Sequence, residues 1–245
     1  ALEPLTDGDM TDPAFLFGPS GTGKTCIARY TVEKLQETVF DLETQYVNCW
    51  EEYTRFKVLY RVLEGINESY DIHRQSTPRD VLLDRLREHD KSPYVVILDE
   101  VDQLEDKRVL YELHRTSGLA MILIANDDTS VFADLSNRLE SRLQTSERIR
   151  FDRYYLDEMV GILQDRVRWG LERDVISTSQ LESIADFAAG DARVAIGILR
   201  NVARTAAQQD LQGITNEVIE QAVTKAKAEI RRANLEKLTE EQQVI

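Results

Sequence analysis

Residues Gly18-Pro19-Ser20-Gly21-Thr22-Gly23-Lys24-Thr25 have the spacing G-x-x-x-x-G-K-[ST], that of a phosphate-binding loop. Each residue type has a chemical reason. Glycines let successive backbone N–H groups converge on phosphate oxygens, and the positive end of a following helix adds to the attraction. Lys24 would neutralise the β- and γ-phosphates, and Thr25 would place its hydroxyl on Mg2+. A second element, Tyr94-Val95-Val96-Ile97-Leu98-Asp99-Glu100, is an apolar run ending in two acids. Such a run fits a central parallel strand buried on both faces. Asp99 would hold Mg2+ through water, and Glu100 would orient or deprotonate an attacking water. A third run, Met121-Ile122-Leu123-Ile124-Ala125-Asn126, ends in an amide that can accept from that water and donate to the γ-phosphate. Singly, these have blander readings: a glycine-rich turn, a solvated strand end, and a turn-forming Asn followed by Asp127 and Asp128. Three polar strand ends in one chain favour a nucleotide site.

Placing these groups together requires β-α units around a parallel sheet. Residues 1 to 150 show the corresponding alternation of short apolar runs with amphipathic stretches. Strands are predicted at Ala14–Phe17, Gln45–Asn48, Tyr94–Leu98, Met121–Ile124 and Arg148–Phe151. Helices are predicted between them, at Gly23–Thr38, Thr54–Gly65, Pro78–His89, Lys107–Thr116 and Val131–Arg142. In Thr77-Pro78-Arg79-Asp80, Thr77 reads as an N-cap, Pro78 as the first helical residue and Asp80 as an acid three past the cap. After Phe151 the strand signals stop. Helical patterns follow at Leu156–Trp169, Ser177–Ala189, Ala192–Gln209 and from Thr215 to about Leu238. The predicted fold class is α/β, a P-loop NTPase core with a five-stranded parallel sheet, followed by an all-helical domain.

With 245 residues, 42% hydrophobic and 30% charged, the chain has material for one large or two modest domains. Its apolar runs fall short of the ~20 residues that span a bilayer, so a membrane is not an expected partner. No secretory leader is evident. Cys26 and Cys49 cannot frame a disulfide scaffold, which suggests a reducing cytoplasm with core packing as the default for both thiols. His73, His89 and His114 lack metal-ligand spacing. The net charge of −14 argues, by itself, against nucleic acid. Most basic residues are arginine, however. An acid-rich, lysine-poor chain suggests a high-salt cytoplasm, where screening tolerates self-repulsion.

The three strand-end elements followed by a helical domain resemble the AAA+ ATPases. Four further segments, Asn137-Arg138-Leu139-Glu140-Ser141-Arg142-Leu143, Ile149-Arg150-Phe151-Asp152-Arg153-Tyr154, Ile162-Leu163-Gln164-Asp165-Arg166 and Gly190-Asp191-Ala192-Arg193, narrow the resemblance. They are similar to the archaeal replication initiators of the origin recognition complex subunit one / cell division control protein six type. That resemblance implies an AAA+ core over 1–153, a helical lid over 154–238, and a truncated winged-helix domain beginning at 239–245. It implies slow hydrolysis of ATP with Mg2+ and an ATP/ADP switch, with the loop from Gly18 through Cys26 contacting nucleotide together with Tyr154, Arg166 and Arg193. Asp191 could cap the lid helix that Arg193 opens, and an arginine so close to a positive helix end suits a role in meeting an anion. Tyr154 could pack on adenine, and Arg166 could bind phosphate or fix the lid. Arg142 stands where relatives place an arginine finger that acts in trans, with Arg138 as the alternative.

The family also carries an inserted helical element that reaches DNA. Here it corresponds to roughly Asn48 to Arg87, with Arg55, Lys57, Arg74, Arg79, Arg85 and Arg87 as candidate phosphate contacts. The interleaved acids fit a solvated mixed-charge face equally well. Implied partners are double-stranded origin DNA, the replicative minichromosome maintenance helicase and further copies of the protein on DNA, in a nucleoid-associated cytoplasmic setting. Two other classes stay open. A clamp-loader subunit would follow Ser141-Arg142 with cysteine rather than Leu143, and a regulatory signalling NTPase would lack origin affinity.

Overall fold

Strands form where β-branched and aliphatic residues cluster, and here they build one parallel sheet. The computed structural model describes residues 12–73, 77–89, 92–127, 131 and 146–236. Contacts divide these residues into two units after Phe151, with Ser20–Thr22 clustering with the second unit.

The first unit contains β1 (Ala14–Phe17), α1 (Lys24–Gln36), β2 (Glu43–Asn48), α2 (Arg55–Gly65), α3 (Arg79–Glu88), β3 (Tyr94–Asp99), α4 (Arg108–His114), β4 (Leu119–Ala125) and β5 (Glu147–Arg150). The strand order is β2-β3-β4-β1-β5, and every pairing is parallel. Strand period sorts the core into two layers. Val96, Leu98, Met121 and Leu123 face α2, α3 and α4, meeting Leu59, Leu63, Leu82, Leu86 and Leu110. Val95, Ile97, Ile122 and Ile124 face the other way, onto Ala28, Val32 and Leu35 of α1. Because both faces are covered, β3 and β4 are buried at every position, as their unbroken apolar sequences require. The edge strand β5 is exposed throughout and carries Glu147, Arg148 and Arg150, charges that discourage further strand addition.

Most predicted elements are present with small shifts at their ends. β2 begins two residues earlier than predicted because Glu43 and Thr44 pair with Tyr94 and Val95. β4 gains Leu119, Ala120 and Ala125, and β5 is displaced by one residue, ending at Arg150. At α3 the predicted cap is corrected: Pro78 is itself the N-cap, in extended conformation, and the helix starts at Arg79. Thr77 instead accepts a hydrogen bond from the His73 N–H at 3.0 Å. Apart from Val131, the predicted helix over Val131–Arg142 lies outside the described residues, and with it Arg138 and Arg142.

The second unit carries α5 (Leu156–Gly170), α6 (Thr178–Ala188), α7 (Ala192–Gln208) and α8 (Asn216–Glu236). Their apolar stripes close on a core of their own, built around Leu163, Ile184, Ile198 and Val202. Ser177 opens α6 by accepting from the Gln180 N–H, while the Gln180 side chain returns to the Ser177 N–H. Among the described residues, no helix is long and apolar enough to cross a membrane.

Candidate functional site

The C-terminal ends of β1, β3 and β4 lie side by side because β1 pairs with β4 and β4 with β3. In an open α/β sheet this edge, at a change in strand order, is where ligands bind. From β1 the chain enters the glycine loop. Gly18 adopts φ +141°, and a Cβ there would lie 2.0 Å from the Phe151 carbonyl oxygen, so no other residue fits. Gly23 sits at φ +89° and starts α1, whose first turn contains no acid. The helix therefore presents unneutralised N–H groups to the loop, as an anion site needs.

Lys24 is 7% exposed, and its ammonium donates to the Gly18 and Pro19 carbonyls at 2.6 and 2.8 Å. It also lies 3.5 Å from Asn126 Oδ1, at the limit of a hydrogen bond. The cation is thus held over the loop and next to the end of β4. Thr25 Oγ1 donates to Asp99 Oδ2 at 2.7 Å, joining α1 to the end of β3. Two hard oxygens this close form a fitting pair for a small divalent cation that keeps most of its waters, as Mg2+ does. Among the described residues no group of three or more His, Cys, Asp or Glu side chains could hold a metal.

Glu100 follows immediately in the left-handed region, at φ 58°. This conformation is costly for a residue with a Cβ and recurs at functional sites. Its effect is to turn the chain sharply off β3, so that Glu100 does not continue the strand's alternation. Lys24, Thr25, Asp99 and Asn126 are therefore gathered at one sheet edge, with Glu100 directly beyond Asp99.

Sequence reasoning missed Tyr46. Its hydroxyl donates to the same Asp99 Oδ2 at 2.9 Å, and the Arg29 guanidinium lies 4.1 Å from its ring centroid. Burial and the neighbouring Asp99 push the Tyr46 phenol well above its ordinary range, so it remains a proton donor. The only available signal was strand period: Tyr46 pairs with Ile97, which puts it on the same face as Asp99 two residues on. Cys49 donates its N–H to the Asp99 carbonyl at 2.8 Å, and burial raises its thiol. Cys49 packs in the core as expected, whereas Cys26, in the first turn of α1, is exposed. That corrects the core-packing expectation for Cys26, whose helix face points outward.

In the second unit, Asp191 caps α7 by accepting from the Arg193 and Val194 N–H groups at 2.9 and 3.1 Å. Arg193 follows in the first turn and is exposed, as is Arg166 on α5. The Ala192 N–H donates to the Gly21 carbonyl, and the Tyr154 hydroxyl to the Thr22 carbonyl, each at 3.0 Å. A Cβ on Gly21, at φ +80°, would lie 1.9 Å from Asp191 Oδ1.

The candidate DNA-contact residues look different. Arg55 is paired with Glu112 and Asp106, Arg85 with Asp71, and Arg87 with Asp84 at 3.1 Å. Lys57 lies 3.9 Å from Glu52. These pairings fit the mixed-charge face that the sequence allowed equally well. Arg74 lies outside the described residues.

Residues 11–130 match the AAA domain family, and residues 160–224 match the Cdc6 AAA+ ATPase-type lid domain. The chain is 55% identical over 244 residues to ORC1-type DNA replication protein 1 of Halobacterium salinarum, covering 100% of this chain and 79% of that protein. Among solved structures, the Aeropyrum pernix ORC1 protein in complex with DNA superposes with a TM-score of 0.79 at 25% identity. That match covers 96% of this chain and 63% of the other. The Aeropyrum pernix ORC2 protein in its ADPNP-ADP complexes gives a TM-score of 0.77 at 22% identity, covering 91% of this chain and 64% of that one. The chain thus spans less than two thirds of these solved chains.

Proposed function

The chain belongs to the ORC1/Cdc6-type family of DNA replication initiator proteins, an AAA+ core followed by a helical lid, and on that premise we propose that it is a slow ATPase whose nucleotide state switches its hold on origin DNA. The observation that carries the proposal is the sheet edge where the loop cation Lys24, the Thr25–Asp99 pair and Asn126 meet. Lys24 binds the β- and γ-phosphates and gives up its loop carbonyls to do so. Thr25 and Asp99 hold Mg2+, which supplies positive charge to the phosphate oxygens. Glu100 orients the attacking water, and Asn126 donates to the γ-phosphate. Arg193 is assigned to the γ-phosphate, Arg166 to phosphate or lid positioning, and Tyr154 to the base. Arg142 is assigned to a neighbouring subunit's nucleotide.

ATP, unlike ADP, offers a γ-phosphate to these groups, so its binding favours one conformational state by differential contact. That state is proposed to govern engagement of double-stranded origin DNA and loading of the minichromosome maintenance helicase. The charge of −14 then marks a salt-rich setting rather than excluding DNA. At ~1 M salt the Debye length is ~3 Å, so repulsion is screened and counterion release is weakened as well.

Footprinting with this chain on candidate origin duplexes at about 1 M KCl tests the reading. ATP-dependent protection above random DNA is expected, with an unusually shallow loss of affinity as salt rises. No protection above random DNA would favour a regulatory NTPase without origin affinity.

A further inference from the structure

We propose that Tyr46 is a positioning residue for the metal-binding side of the nucleotide site, its hydroxyl holding the Asp99 carboxylate in the orientation from which Asp99 and Thr25 together take up a divalent cation. The inference rests on the nucleotide-site reading above and deepens it.

Asp99 is almost fully buried at the end of β3, and its Oδ2 accepts two hydroxyl hydrogen bonds, from Thr25 at 2.7 Å and Tyr46 at 2.9 Å. The two donors have different duties. By giving its proton to Asp99, Thr25 turns its oxygen lone pairs away from the carboxylate and makes them available to a cation. A carboxylate held by that single bond would still rotate about its terminal torsion, which has only a broad preference. A second donor, arriving from another strand, fixes its plane. Tyr46 can serve because β2 pairs with β3 in a register that sets Tyr46 opposite Ile97, on the face Asp99 shares.

The ring itself is held in place. Arg29 lies one helical turn beyond Thr25 on α1, the i, i+4 spacing that puts two side chains on one face. Its guanidinium stacks 4.1 Å from the Tyr46 centroid. A cation over the ring face draws on its π density, so Arg29 both orients the phenol and strengthens its O–H as a donor. One helix therefore supplies a cation ligand directly through Thr25 and, through Arg29, the support for the residue that aligns the other ligand.

The test is binding of a fluorescent ATP analogue, measured in EDTA and across a Mg2+ titration at saturating nucleotide, for the wild type, Tyr46→Phe and Arg29→Met. Tyr46→Phe keeps the ring and removes one hydroxyl. Its Mg2+ midpoint is expected to rise about 3- to 10-fold, a fraction of what one hydrogen bond to a charged group is worth, with nucleotide affinity in EDTA unchanged. Arg29→Met should shift the midpoint in the same direction by less. An unchanged Mg2+ midpoint in Tyr46→Phe overturns the proposal, and so does an equal loss with and without Mg2+, which would mark a general packing role. Should Tyr46→Phe fail to fold, Arg29→Met, at an exposed helix position, decides: an unmoved midpoint overturns the proposal. A wild type that binds no nucleotide refutes the site reading and this inference with it. A flat Tyr46→Phe result on a wild type that does bind refutes this inference alone.

Discussion

The ends of β3 and β4 lie next to each other in one sheet and are held very differently. Asp99, closing β3, is 6% exposed and accepts hydroxyl bonds from α1 and β2, while its carbonyl accepts the Cys49 N–H. Asn126, just past β4, is exposed, and the Lys24 ammonium approaches it only at 3.5 Å. Both strands are buried along their lengths, so burial of the strand does not explain the contrast. Hydrogen bonding beyond the strand end does. Under the proposed assignment, the Mg2+ side is preorganised by hydroxyl donors of this chain, whereas the γ-phosphate side is held only by the long Lys24 contact among those described. A switch needs this division: one part binds nucleotide in either state, and the other responds to the phosphate that differs between them.

Lys24 is assigned to both sides in the proposed function, so its removal has the largest expected effect. Lys24→Ala should weaken ATP and ADP binding by more than ~100-fold, about 2.7 kcal/mol, as read by calorimetry. Retained affinity would remove the basis for any difference between the two ends. Asn126→Ala should then separate them. Hydrolysis should slow by about 100-fold, the lower end of the range for losing one aligned donor, while the affinity for Mg2+-ADP stays within about 3-fold. An equal loss of ADP affinity would mean that β4 also belongs to the permanent part of the site.

How much of this was legible in the sequence follows the same contrast. The glycine loop, Asp99 and Asn126 were readable because their backbone neighbours dictate their place. An apolar run must be a buried strand, and the polar residue that ends it must emerge at the sheet edge. β1 spans Ala14–Phe17 as predicted, and α5 and α7 start at Leu156 and Ala192 as predicted. Tyr46 was not readable as a site residue. Its bond to Asp99 joins positions 53 residues apart, and it depends on which strand lies beside β3, a fact no local period contains. The first two residues of β2 were missed for a related reason. Glu43 and Thr44 are polar, and only their ladder to Tyr94 and Val95 makes them strand. The ion pairs of Arg55 and Arg85 reach Glu112 and Asp71, partners distant in sequence that no local pattern marks.

The opposite end of β3 offers a pH test of how firmly that strand is anchored. Tyr94 donates its hydroxyl to the Val62 carbonyl, and burial, aided by Glu43, pushes its phenol far above the ordinary value. The folded pKa is raised, so the stabilisation is complete below the unfolded value near 10 and is lost as pH rises above it. Between pH 9 and 11 the loss should be about 1 kcal/mol, seen as a lower urea midpoint. Tyr94→Phe should remove most of that slope, though not its baseline cost. An unchanged slope would place the alkaline transition elsewhere and weaken the view of β3 as the anchored strand.

The smallest effect lies outside the sheet and serves as its control. Asp191 satisfies two N–H groups at the start of α7, and Asp191→Ala should cost about 1 kcal/mol, the usual value of an N-cap. Lost cap bonds act on the helix they open, so the drop should appear in the thermal transition of the α5–α8 unit. The Mg2+ midpoint at saturating nucleotide should not move, because Thr25, Asp99 and Tyr46 all belong to the other unit. A shifted Mg2+ midpoint would show that the preorganisation of β3 is borrowed from the helical unit. The contrast between the two strand ends would then be a property of the whole chain rather than of the sheet.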